Sequence, residues 1–212
     1  MEQAYNMHAS LLSPFKACHL LLLHMMSNLM QNPPEQALKT LEKYVSNLEE
    51  NILCTIALQP TMSPAKAKNF IAKTAETYAL KNILETLKQL LQEEGNRIWK
   101  LNVFHNSVYA ARKWTNNMKP DDSGPDIIIT LNDTTIEVEV KNRTSGYTTP
   151  QHFQQHITKK YHTKNRILFF CTSYNQKEKE NILAQANLNS IHTITAPPTP
   201  YTRKDNIYTF NI

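Results

Sequence analysis

The sequence predicts an α/β protein: a mixed central sheet flanked by helices, with an N-terminal helical extension ahead of it. Three observations carry that expectation. Residues 1–95 place apolar side chains at helical spacing with few β-branched runs. After Gly95 the texture changes to short apolar stretches, RIWKLNVFH, PDIIIT, TIEVEV, RILFFCTS and IHTITA, with helical candidates between the later ones. Residues 134–142, TTIEVEVKN, alternate with a period of two. The expected division is a helical extension over 1–62 and an α/β domain over 63–212.

Taken in order, HLLLLHMM at 19–26 is too short to span a bilayer and reads as part of a buried helix. Asn32, Pro33 and Pro34 interrupt that helix. Leu38, Leu41, Val45, Leu48, Ile52 and Ile56 then form one face of a second helix. This face is expected to pack on residues 11–30 as a hairpin, with a dimerisation arm as the alternative. Ser63-Pro64 opens a third helix running toward Gly95, with Glu76 in its middle. GPDIIIT, the turn LNDT and TIEVEVKN read as a hairpin. Thr149-Pro150 starts a helix, and KEKENILAQANL supplies another after RILFFCTS. APPTPY at 196–201 reads as an extended connector before a single last strand, NIYTFNI.

The net charge of +5 and the pI near 9.0 favour acidic partners such as nucleic acid. Cys18, Cys54 and Cys171 are scattered and odd in number, which argues for a reducing, cytoplasmic setting and against a CxxC metal site. Neither a signal peptide nor a membrane span is expected.

The acidic face of TTIEVEVKN raises a question. With Ile136, Val138 and Val140 turned to a core, Glu137, Glu139 and Lys141 share the opposite face. Same-face carboxylates roughly 7 Å apart repel by about 2 to 3 kcal/mol at an effective dielectric near 20, and far less in open water. The pattern is ordinary on a solvated strand and costly in a cleft without a cation. Closing the hairpin returns Asp126 to the neighbourhood of Glu139 and Lys141, so two carboxylates and an ammonium converge.

Pro125-Asp126, a spacer and Glu139-Val140-Lys141 resemble the PD-(D/E)XK nuclease superfamily motif. AKTAETYALKNILETL is similar to that family's leading helix, in which a glutamate matches Glu76. The layout after the motif resembles archaeal Holliday-junction resolvases, over roughly 64–175. Taken whole, the chain also resembles small nucleases of spindle-shaped viruses of Sulfolobus, which would place it in a host cytoplasm.

The resemblance implies a restriction-endonuclease-like core and a Mg²⁺-dependent DNA endonuclease, with Mn²⁺ as a substitute. Asp126, Glu139 and the Val140 carbonyl would hold the metal, with Glu76 as a further ligand, and Lys141 would activate or orient the water. Hard oxygen donors suit that cation, which neutralises charge on the phosphate and acidifies water.

No Asp or Glu falls between Val140 and Lys177, so this basic stretch is the expected backbone track, including Arg143, Lys159 and Lys160. Gln151, Gln154 and Gln155 resemble the family's post-motif glutamine, with the register left open among them, and Arg112 and Lys113 lie on a loop that would close on substrate. Tyr147 and Tyr161 read either as base-stacking platforms or as core. His152 and His156, one helical turn apart without a third ligand, read as surface residues. Partners are then DNA, a second copy of the chain and separate replication or recombination proteins. The alternative is a catalytically silent DNA-binding or assembly module that retains the fold.

Overall fold

The computed structural model describes residues 33–106, 124–142, 149–171, 175–196 and 201–210. Two long helices come first, α1 (Pro34–Leu58) and α2 (Pro64–Glu94), separated by the short strand β1 (Thr61–Met62). Each helix carries proline in its first turn, where the missing N–H has no helical partner to lose. The α1 stripe buries Leu41, Val45 and Ile56, together with Ala37 and Tyr44, while Leu38 and Leu48 are partly covered. Its described partners are α2 and the central sheet. The expected partner, residues 11–30, lies outside the described residues.

The central sheet contains β2 (Leu101–His105), β3 (Ile127–Leu131), β4 (Thr134–Lys141), β5 (Arg166–Cys171) and β6 (His192–Ala196), in that order. The first three pair antiparallel and the last three parallel. Parallel pairs need crossovers, supplied by α3 (Pro150–His156) and α4 (Gln176–Leu188). Thr149 caps α3 by accepting from the His152 amide at 3.3 Å, and Asn175 caps α4 by accepting from that of Glu178 at 2.9 Å. The structure is therefore α/β, with a mixed sheet between helices and helix α1 ahead of it.

Both faces of the sheet are covered. Leu101, Val103, Ile127, Ile129, Val138, Val140 and Phe169 pack with α1 and α2. Leu168 and Phe170 pack instead with Phe153, Ile157 and Tyr161 from α3 and the residues after it, and with Ile182 and Ala186 from α4. Since Val138 and Val140 meet the first layer, Glu137, Glu139 and Lys141 turn under the second. The face left open between surface and cleft by the sequence is buried: Glu137 is 3% exposed and Glu139 0%.

The carboxyl-terminal part corrects one expectation. Where a connector and a lone strand were expected, β7 (Tyr201–Lys204) and β8 (Ile207–Phe210) form a hairpin, and β8 also pairs with β1. Only Tyr201 of YTRK falls in the expected connector; the segment lacks an apolar alternation and takes its place through pairing with β8. Asp205 and Asn206, with φ of 48° and 62°, make the two-residue turn with positive φ at both positions that suits a twisted hairpin. Met62 and Phe210 bury with Ile56, Ala67 and Ile71, fastening this small sheet to the adjoining ends of α1 and α2.

The β3–β4 turn sets the register on which the site depends. Asn132 adopts φ 53°, its Oδ1 accepts from the amides of Trp99 at 3.0 Å and Lys100 at 3.3 Å, and its Nδ2 donates to Arg97 O at 2.9 Å. Asn132→Ala is expected to cost about 2 to 4 kcal/mol, combining left-handed strain with lost hydrogen bonds. Asn132→Gly should cost less because glycine relieves the strain. Urea unfolding of the two variants checks the order.

Candidate active site

Ile127 pairs with Val138, so one step further Asp126 lies across from Glu139. Asn106 holds that step: its amide donates to Asp126 O at 2.7 Å and its Nδ2 to Pro125 O at 3.2 Å. Asp126 Oδ2 in turn accepts from the Val140 amide at 2.7 Å. Burial pushes the Asp126 carboxyl up from 3.8 to about 8, Glu139 and Glu76 reinforce the rise, and Lys141 and the Val140 amide oppose it.

Glu139 Oε1 meets the ammonium of Lys141 and, at 3.4 Å, that of Lys160. Its other oxygen, Oε2, is buried without a hydrogen-bond partner. A buried carboxylate oxygen left unmatched is costly, and a cation offsets that cost directly. Lys160 reaches this point from the 3-10 turn Thr158–Lys160, which follows α3.

Glu137, two residues earlier on the same face, has a different role. Its Oε2 accepts from the amides of His162 at 2.6 Å and Thr163 at 2.8 Å and from the Thr163 hydroxyl at 3.2 Å. It ties the turn before β5 to β4. Arg166 supports the same turn, donating from Nε to Thr163 O at 2.6 Å.

Glu76 faces the sheet from α2. Its Oε2 lies 2.8 Å from His105 Nε2, and His105 Nδ1 lies 2.7 Å from the Tyr44 hydroxyl. With an ionised carboxylate able only to accept, we assign the Nε2 proton to the Glu76 bond, which leaves Nδ1 of a neutral ring to accept from the phenol. Burial and Glu76 raise the Tyr44 hydroxyl above its ordinary value. The chain Tyr44–His105–Glu76 thus joins α1, β2 and α2 beside Asp126.

Asp126, Glu139, Lys141 and Lys160 converge, with Glu76 close enough to act on Asp126 electrostatically. Gln151 and Gln154 are exposed on α3, as is Lys159 on the following turn. Arg112, Lys113, Arg143 and Tyr147 lie outside the described residues. Tyr161 is core and no stacking platform: it is buried, and its hydroxyl donates to Ile167 O at 2.6 Å. His152 and His156 are exposed. Sequence reasoning placed Lys160 on the DNA track and missed its position at Glu139. It also missed His105 and Tyr44. The available signal was His105 continuing the buried alternation of Leu101 and Val103 opposite a glutamate-bearing helix.

The donor set fits a hard divalent cation. Among the described residues no three His, Cys, Asp or Glu side chains form a metal-binding group. Two carboxylates, one with an unmatched oxygen, a backbone carbonyl and water suit Mg²⁺, which retains several waters, better than Zn²⁺ with its nitrogen and sulfur ligands. Comparison of the chain with protein-family models, curated proteins and solved structures finds no match.

Two outcomes follow. In chelator, the folded chain holds the Asp126 proton more tightly than the unfolded chain, so the associated stability is full below pH 3.8 and is lost as pH rises toward 8. Wild type should lose stability relative to Asp126→Asn across that window, by up to about 1.4 kcal/mol per pH unit, in denaturant titrations at several pH values. Glu137→Ala should cost about 2 to 4 kcal/mol at neutral pH by abandoning the His162 and Thr163 donors, read by the shift of the urea midpoint.

Proposed function

We propose that the chain is a Mg²⁺-dependent deoxyribonuclease of the PD-(D/E)XK type, an endonuclease acting on branched recombination or replication intermediates. The observation that carries this reading is the buried meeting of Asp126, Glu139 and Lys141, with Glu139 Oε2 unmatched. Supporting it, α2 with Glu76, the Pro125-Asp126 strand, the turn, the Glu139-Lys141 strand, α3 and β5 follow one another in the order implied by the resemblance.

Asp126, Glu139 and the Val140 carbonyl would hold Mg²⁺ or Mn²⁺, with Glu76 as a further acid beside them. The bound ion supplies neutralisation of phosphate charge and a more acidic water. Lys141 orients that water or a phosphate oxygen and offsets the charge that grows in the transition state. Tyr44 and His105 hold the Glu76 carboxylate in place. Gln151, Gln154 and Lys159, exposed along α3 and the following turn, would contact the DNA backbone. Arg143, Arg112 and Lys113, outside the described residues, are proposed as further DNA contacts on their charge.

Cutting both strands of a branched substrate is naturally done by paired sites, so we assign a homodimer. Among the described residues no helix is long and apolar enough to cross a membrane. The cytoplasmic setting is part of the proposal and rests on the DNA substrate and the scattered cysteines.

Purified protein should cleave at least one of linear, flap and four-way DNA in Mg²⁺ but not in chelator. Asp126→Ala and Lys141→Ala should each lower the rate by at least about 100-fold. Cleavage surviving both substitutions would refute the site. DNA binding without cleavage of any substrate would leave the silent-module alternative.

A further inference from the structure

We propose that Lys160 is a second cationic catalytic residue, one that contacts the scissile phosphate itself rather than a flanking phosphate; this deepens the nuclease reading and rests on it. Two neighbours in sequence are placed differently. Lys159 is exposed, as a residue on an electrostatic track should be. The Lys160 side chain is only 19% exposed and its ammonium reaches Glu139 Oε1, the oxygen that also meets Lys141.

The two ammonium groups share that oxygen unequally. Lys141 makes the close contact, whereas the Lys160 ammonium stands off at 3.4 Å, longer than a good charge-assisted hydrogen bond. Glu137 Oε2 is taken up by the His162 and Thr163 donors, and the ion pair that Lys160 makes is with Glu139. Lys160 is thus loosely paired, with part of its side chain open to solvent beside Asp126 and Glu139.

Its mounting is rigid. Lys160 N donates to Ile157 O at 3.0 Å, and Ile157 and Tyr161 on either side of that turn are buried. A preorganised ammonium at the point where negative charge develops stabilises a transition state more than it stabilises bound substrate. A lysine on a flanking phosphate would do the reverse, adding affinity and salt dependence without affecting chemistry.

The test uses the full chain with Lys160→Ala, Lys160→Met and Lys160→Arg. Cleavage is measured at saturating four-way DNA in Mg²⁺, and DNA affinity in chelator at several salt concentrations. Thermal unfolding checks each fold, with methionine, which keeps the aliphatic stem, replacing alanine if the alanine variant fails to fold. The expected result is a fall of about 100-fold in the saturated cleavage rate, a chelator affinity and salt slope within error of wild type, and partial recovery with arginine. An unchanged saturated rate overturns the inference. So does weakened binding, with a salt slope shallower by about 0.9, at an unchanged saturated rate, the signature of a contact that adds affinity alone. Failure of the nuclease reading shows separately, as a wild type that cuts nothing or as cleavage that survives Asp126→Ala together with Lys141→Ala, and Lys160 falls with it.

Discussion

The structure depends on how a strand can bury two carboxylates on one face. Glu137 and Glu139 are the same residue type, two positions apart on β4, and nearly equally inaccessible. Ionised carboxylates out of water are tolerated only when their oxygens are matched by donors or cations. The fold meets that requirement in two ways. Glu137 collects backbone and hydroxyl donors from the turn before β5, which makes it a structural fastening. Glu139 is met by ammonium groups on one oxygen and by nothing on the other. The difference comes from what packs above: a turn with free amides over the first, lysine side chains over the second.

Everything that sets this contrast lies some distance from it. The Asn132 turn fixes the β3–β4 register, and a slip of one residue would send Asp126 to the other face of the sheet. Asn106 then fastens Pro125-Asp126 to the end of β2. On the opposite side, α1 contributes Tyr44 to the chain through His105 to Glu76, so the first described helix belongs to the support of the site as well as to the core.

The sequence made some of this legible for clear physical reasons. Period-two alternation in TIEVEVK gives a strand buried on one face, and helical spacing gives α1 and α2, because both patterns follow from backbone geometry. The nearness of Asp126 to Glu139 follows from closing a two-residue hairpin. The strand β7 was not legible, since YTRK has no apolar alternation and gains its place through pairing with β8. The separate roles of Glu137 and Glu139 were hidden too. Periodicity says only that they share a face, whereas the donors that distinguish them come from residues 160–163, whose return over β4 is a tertiary event. For the same reason Lys159 and Lys160 looked equivalent in a basic run.

The buried acids also bear on the choice between an enzyme and a silent DNA-binding module. A surface that only holds DNA gains affinity from cations and loses it to every nearby carboxylate. Here a buried carboxylate sits beside Lys160, and its other oxygen is unmatched at a cost to stability. Replacing a buried ion pair as a whole with apolar side chains is often neutral or stabilising, so packing gives no reason for the presence of Glu139 with its lysines. Local violations of this kind are expected where a site serves chemistry rather than folding. In the proposed function a divalent cation would reconcile the two demands, because it would neutralise the acids and leave the Lys141 and Lys160 ammonium groups to face a phosphate. Asp126, raised by burial and by Glu139, would then ionise most readily with that cation near.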